Sequence, residues 1–125
     1  MPTVLIVDDN PMDRTIAASC VEAEGMDVLF AEDGRQALQM LKKERPDLIL
    51  TDLDMPNIDG LELVQEVKHS YPAIPVILMT ARGSEEIAVA ALKSGAASYV
   101  PKRKLKESLA TALNLVLAVA MSEQR

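Results

Sequence analysis

Apolar residues along the chain fall into two alternating patterns. Short unbroken runs appear at Val4-Leu5-Ile6-Val7, Val28-Leu29-Phe30-Ala31, Leu48-Ile49-Leu50, Val76-Ile77-Leu78-Met79 and Ser98-Tyr99-Val100. Several are apolar at every position, as expected of parallel strands covered on both faces. The stretches between them carry helix signals. Asn10-Pro11 reads as an N-cap followed by a first-turn proline. Ile16 and Cys20 then share a face, with Gly25 as the stop. Asp33 and Gln36 have capping-box spacing, with Ala37, Leu38 and Leu41 facing inward. Asp59 and Glu62 repeat that spacing ahead of Leu63 and Val67. Ser84-Glu85-Glu86 puts acids where a helix dipole favours them, and Gly95 closes that helix. A last helix without a strong cap is expected over 105–121. Five strand-helix repeats with right-handed crossovers predict an α/β fold, an open parallel sheet with helices on both faces.

Composition narrows the chemistry. A chain of 125 residues fits one domain, expected to occupy 1–125, and buries enough surface to stand without staples. Thirteen Lys and Arg against nineteen Asp and Glu leave a net charge of −6, which argues against binding nucleic acid through a basic face. One Cys and one His exclude an internal disulfide, a cysteine zinc cage and a multi-histidine site. Cys20 is expected to be a small core residue, His69 a solvated side chain, and the Met residues core fillers, with Met12 and Met55 near a docking site. The apolar run before Asp8-Asp9 is too short for a secretory leader. The tract 110–121 includes Thr111 and Asn114 and is shorter than a bilayer needs. A cytoplasmic location with no membrane contact is therefore the expectation.

Ligands of open parallel sheets bind beyond the carboxyl ends of the strands. The predicted strands end at Asp8-Asp9, Asp52, Thr80 and, after Pro101, Lys102. Three carboxylates, a hydroxyl and an ammonium would converge there. Carboxylates a few ångströms apart repel, so they share a proton or hold a cation. All-oxygen ligation suits Mg²⁺, which takes one or two carboxylates and keeps several waters. Lys102 and Thr80 would remain to hold an anion. Such a set describes phosphoryl transfer, and a carboxylate nucleophile would give an aspartyl phosphate.

These segments resemble the receiver domain of two-component response regulators. The resemblance rests on Val4-Leu5-Ile6-Val7-Asp8-Asp9-Asn10-Pro11, on Leu48-Ile49-Leu50-Thr51-Asp52-Leu53-Asp54-Met55-Pro56 with Asp59-Gly60, on Met79-Thr80-Ala81, and on Gly95-Ala96-Ala97-Ser98-Tyr99-Val100-Pro101-Lys102. It implies a flavodoxin-like fold, a doubly wound five-stranded sheet in the order 2-1-3-4-5 with five helices. It implies that Asp52 is the phosphoacceptor. Asp9, Asp52 and the backbone carbonyl of Asp54 would ligate Mg²⁺, with Asp8 helping through water; Mn²⁺ could substitute. Thr80 and Lys102 would bind phosphoryl oxygens with the backbone near Leu53 and Ala81. Thr80 and Tyr99 would form the conformational switch. The implied partner is a sensor histidine kinase or a histidine phosphotransfer protein, and the domain would catalyse its own phosphorylation and dephosphorylation rather than turn over a substrate.

Three features depart from the family pattern or lie outside it. Proline precedes Lys102 and Arg103 follows it, whereas the family places proline after its lysine, so a trans Lys102–Arg103 bond and a differently shaped loop are expected. With Lys104 and Lys106, Arg103 makes a basic corner, read as a solvated helix start or as a docking patch for an acidic partner. Asp54 and Arg82 stand two residues beyond Asp52 and Thr80, where a pair would screen the phosphoryl group and tune its lifetime. In the last helix Leu105, Leu109, Ala112 and Val116 suit the core, while Leu115, Leu117 and Val119 point elsewhere. A homodimer or partner surface built from helices 87–94 and 105–121 follows from that excess.

Three enzyme or module readings compete. Asp52-Leu53-Asp54 resembles the Asp-x-Asp of haloacid-dehalogenase-like phosphatases, but the acidic pair Asp8-Asp9 precedes the nucleophile, whereas that family places it last. A flavodoxin-like binding module lacks a phosphate-cradling glycine loop here. A receiver-like interaction module that needs no phosphorylation would not require Asp9, Asp52, Thr80 and Lys102 together.

Overall fold

The computed structural model describes residues 1–123. Strands β1 (Thr3–Val7), β2 (Asp27–Ala31), β3 (Leu48–Asp52), β4 (Val76–Thr80) and β5 (Ser98–Pro101) alternate with helices α1 (Pro11–Glu22), α2 (Gly34–Leu41), α3 (Gly60–Ser70), α4 (Glu85–Ser94) and α5 (Leu105–Glu123). All pairings are parallel, and the sheet runs β2-β1-β3-β4-β5. This is the order implied by the family resemblance. A 3-10 turn, Lys102–Lys104, joins β5 to α5.

Alternation along each strand divides the core into two layers. Val4, Ile6, Leu48, Leu50, Ile77 and Met79 meet Ala17 and Val21 of α1 and Leu109 and Leu113 of α5 on one face. Leu5, Val7, Ile49 and Leu78 meet Ala37, Leu41, Leu63, Val67 and Ala91 on the other. Every residue of β3 and β4 is buried, because these strands lie inside the sheet with helices on both sides. Each fully buried Leu or Ile contributes on the order of 1.5–3 kcal/mol of transfer free energy.

The caps follow the sequence with one adjustment. Asn10 Oδ1 accepts from the amides of Met12 and Asp13 at 2.9 and 3.1 Å. Asp59 and Glu62 form a complete capping box. Asp33 accepts from the Gln36 amide at 2.8 Å, but Gln36 Oε1 turns back to the amide of Glu32, one residue earlier than a reciprocal box requires. In α1, Ala17, Ala18 and Val21 face the sheet, and Ile16 is 38% exposed. Ile16 and Cys20 do share a face, but it lines a groove against Leu105 and Ala110 of α5.

In α5 the buried stripe is Leu105, Leu109, Leu113, Val116 and Leu117. Leu117 therefore belongs to the core, contrary to the expectation, while Ala112 is only partly buried. Leu115 and Val119 are exposed as expected. Helix and turn together, Lys102–Glu123, are long and apolar enough to cross a membrane. Here the apolar stripe packs on the sheet.

The β3–α3 loop folds back tightly on the strand it leaves. The Gly60 amide donates to the Leu53 carbonyl at 2.8 Å, and a Cβ on Gly60 would fall 2.7 Å from Leu53 Cα. Asn57 sits at φ 68° in that loop, a left-handed conformation that asparagine tolerates. This return holds the end of β3 and fixes where Asp52 points.

Candidate functional site

Register places the chemistry. Asp52 lies beside Met79, and Thr80 beside Pro101, so Lys102 is the first residue past the sheet on the β5 side. The sequence placed Lys102 as the end of strand five. In the structure β5 ends one residue earlier, at Pro101, and Lys102 opens the 3-10 turn. Proline is accommodated there because β5 is an edge strand, with one side free of ladder partners. All peptide bonds among the described residues are trans, including Lys102–Arg103 as expected.

Asp8, Asp9 and Asp52 each bring a carboxylate oxygen within 4.8 Å of the others. Asp8 is fully buried, Asp52 is 5% exposed, and Asp9 opens to solvent. The Lys102 ammonium reaches into this group, 2.8 Å from Asp8 Oδ2 and 3.3 Å from Asp52 Oδ1. Asp8 Oδ2 meets the ammonium as a charge and has no aligned hydrogen-bond donor. Asp8 Oδ1 accepts from the Asn10 amide at 2.9 Å, which fixes the plane of the carboxylate.

Burial, followed by the charge of Asp8, pushes the Asp52 carboxyl up to about 6, and Lys102 only partly offsets this. Burial works against the Lys102 charge, yet the hydrogen bond to Asp13 and the nearby carboxylates of Asp8 and Asp52 outweigh it and raise its pKa above the ordinary lysine value. The site thus carries more negative charge than its own cation neutralises. An all-oxygen set with one solvent-facing member fits a hard divalent cation.

Thr80 and Asp54 sit on the far side. Thr80 is buried, and its Oγ1 accepts from the Arg82 amide at 3.0 Å while its hydroxyl faces Asp54 Oδ2 at 3.5 Å. The Arg82 guanidinium grips both oxygens of Asp54, with Nε to Oδ2 at 3.2 Å and Nη2 to Oδ1. The pair inferred from spacing is therefore formed. Tyr99 packs against the core layer of α2, α3 and α4, and its hydroxyl is buried without a partner. A Cβ on Gly83 would lie 3.1 Å from that hydroxyl and 2.8 Å from Arg103 Nη1.

Two participants were not anticipated. Asp13 Oδ2 accepts from Lys102 Nζ at 2.7 Å, the shortest of the three lysine–carboxylate contacts. Arg14 Nη1 donates to the Asp8 carbonyl at 2.7 Å. Asp13 stands one helical turn after Asp9, so a reader of the sequence could have placed it on the same side of α1. Nothing in the sequence indicated that a lysine 89 positions away would reach it.

Comparison with known proteins decides the family. Residues 4–114 match the family described as response regulator receiver domain. The chain belongs to this receiver family. It is 40% identical over 115 residues to the transcriptional regulatory protein ZraR of Escherichia coli K12, covering 92% of this chain and 26% of that protein. It is 34% identical to the response regulator MprA of Mycolicibacterium vanbaalenii, covering 91% of this chain and 49% of MprA. It spans about a quarter and about half of those two relatives. The solved CheY-like receiver domain protein of Methanospirillum hungatei superposes with a TM-score of 0.89 at 27% identity, covering 98% of each chain. The Vibrio cholerae chemotaxis protein CheY4 gives a TM-score of 0.84 at 32% identity, covering 93% of this chain and 98% of that one. The receiver is thus a response-regulator module of two-component signalling. His69 is exposed near the end of α3, away from this edge, as expected, whereas Cys20 is not a full core residue but half-buried, packed against the core from the groove beside α5.

Proposed function

We propose that Asp52 accepts a phosphoryl group from a phosphohistidine on a sensor histidine kinase or histidine phosphotransfer protein, in a reaction that requires a divalent cation. One observation carries this reading. Asp8, Asp9 and Asp52 converge within 4.8 Å, with the Lys102 ammonium 3.3 Å from Asp52. Asp9, Asp52 and the Asp54 carbonyl would hold Mg²⁺ or Mn²⁺, and Asp8 would assist through water. When bound, the cation neutralises charge on the carboxylate and on the group being transferred.

The protein's own residues supply the rest. Asp52 is ionised above about pH 6 and is the nucleophile. Its oxygen bonds to phosphorus as the phosphorus–nitrogen bond breaks, and the electron pair leaves with the imidazole. Lys102 exchanges its ion pair with Asp52 for a contact to a phosphoryl oxygen. Thr80, whose contact with Asp54 is long at 3.5 Å, turns its hydroxyl to a second oxygen. The Tyr99 ring follows, and its hydroxyl gains a route to the partner it lacks. Couplings of this kind are typically worth about 1–3 kcal/mol. The acyl phosphate is later hydrolysed, with the Asp54–Arg82 pair screening the approach of water. One phosphoryl group per site is taken and lost, so the domain acts on itself. Its changed surface includes Val89 and Leu92 of α4 and Leu115 and Val119 of α5, all exposed, through which it meets a second copy or a downstream partner. The basic corner at Arg103, Lys104 and Lys106 is exposed beside it. This reading places the reaction in the cytoplasm, with no part for nucleic acid or membrane in this domain.

Incubation with acetyl phosphate and Mg²⁺, followed by intact mass, tests the proposal. A single phosphate adduct is expected, absent in Asp52→Asn and absent with EDTA. An unmodified wild-type protein overturns it, and steady turnover of p-nitrophenyl phosphate would favour a phosphatase instead.

A further inference from the structure

The phosphate-binding lysine is already occupied by an anion belonging to the chain. Lys102 Nζ lies 2.7 Å from Asp13 Oδ2, 2.8 Å from Asp8 Oδ2 and 3.3 Å from Asp52 Oδ1. An ammonium has three donors, and three carboxylates surround it. The three differ in exposure. The side chains of Asp8 and Asp52 are 0% and 7% exposed, whereas that of Asp13 is 33% exposed. Asp13 is thus the solvent-side member of the set, at the mouth of the site. It is held there by Asn10, which caps its amide at 3.1 Å. Asp8 and Asp52 already carry the negative charge that the site's own chemistry uses. Asp13 adds a further one on the side from which a donor arrives, and it cancels a cation that the incoming phosphoryl group needs. Arg14 places a second cation nearby, 2.7 Å from the Asp8 carbonyl, so loss of Asp13 would leave the positive charge around the site less balanced.

We infer that Asp13 is a specificity-determining residue that disfavours small, highly charged phosphodonors by pairing with Lys102 at the entrance. It rests on the proposal that Asp52 is phosphorylated. A donor carrying two negative charges, such as acetyl phosphate, meets the full repulsion. A donor whose leaving nitrogen is protonated, such as phosphoramidate, meets less. A phosphohistidine presented by a protein brings binding energy from its own surface and is affected least. The discrimination is electrostatic, so it weakens as salt screens the partly exposed carboxylate.

The test compares wild type with Asp13→Asn, which keeps an oxygen acceptor for Lys102, and Asp13→Ala, which does not. Phosphorylation with acetyl phosphate and with phosphoramidate is followed at low and high salt in saturating Mg²⁺. The affinity for beryllofluoride, an anionic phosphoryl mimic, is measured as a binding readout. We expect both variants to react about three- to tenfold faster with acetyl phosphate at low salt, with a smaller gain for phosphoramidate. The gain should shrink at high salt, and beryllofluoride should bind more tightly. Unchanged rates in both variants overturn the inference. So does slower reaction in Asp13→Ala with normal reaction in Asp13→Asn, which would show a residue that merely steadies Lys102. Equal gains for both donors also overturn it. A wild type that takes no phosphate from either donor overturns the phosphoacceptor reading itself, and this inference with it.

Discussion

Lys102 and Arg82 stand at the same edge of the sheet and each holds a carboxylate, yet one side chain is 13% exposed and the other 68%. Lys102 sits among Asp8, Asp13 and Asp52, where little water competes and the surrounding carboxylates hold the lysine charged. Arg82 grips Asp54, itself 47% exposed, with two hydrogen bonds, a better geometry in a worse medium. Geometry alone does not rank the two pairs. The dielectric around them does: the buried set is structural and chemical at once, whereas the exposed pair is free to open.

The largest expected effect strikes the buried side. Lys102→Ala leaves Asp8 and Asp52 facing each other without their cation. It should lower the unfolding free energy by about 2–4 kcal/mol in EDTA at pH 8, read by urea denaturation, with part restored by millimolar Mg²⁺. An unchanged midpoint would show that the cluster neutralises itself by taking up protons.

Next comes Asp52→Asn. Burial and the Asp8 charge push the Asp52 carboxyl up to about 6 in the folded protein, from an ordinary aspartate value of 3.8, so folding favours its protonated form. The unfavourable contribution is complete above about pH 6 and disappears as the pH falls through 6 toward 4. The substitution should therefore stabilise the protein at pH 8 without divalent ions by about 1–3 kcal/mol. That gain should vanish near pH 3.5. A gain independent of pH would point to packing rather than charge.

The smallest effect on folding belongs to the exposed side. Arg82→Ala should leave the urea midpoint where it is, because water replaces the guanidinium. Its effect should appear only after phosphorylation, as a loss of the phosphate adduct that is about two- to fivefold faster when followed by intact mass, a change small on the scale of transition-state free energies. Asp54→Asn should shift the same rate, since it removes the other half of the pair. If neither substitution alters the decay, the pair does not screen the phosphoryl group.

The order of elements was legible in the sequence because unbroken apolar runs, caps and glycine stops are local signals. The positions of Asp8, Asp9, Asp52 and Thr80 at strand ends followed from the same signals and one rule about parallel sheets. Strand order came from the family resemblance, as no residue pattern in a parallel sheet names its neighbours. Leu117 was misplaced because α5 presents more apolar residues than a single stripe, and which of them the sheet covers depends on how the helix rolls against β5 and α1.

What the sequence determined by itself was the inventory and its rough address: acids after the first and third strands, a hydroxyl after the fourth, a lysine after the fifth. Local hydrogen bonding and alternation set these, and both are written within a few residues of each position. Only the tertiary structure decided who partners whom. Asp13 meets Lys102 across 89 positions because α1 and the turn after β5 are brought to the same corner of the sheet, and that approach is a property of packing. The charge state of Asp52 belongs to the same class, since burial and the nearness of Asp8 exist only once the strands have paired side by side.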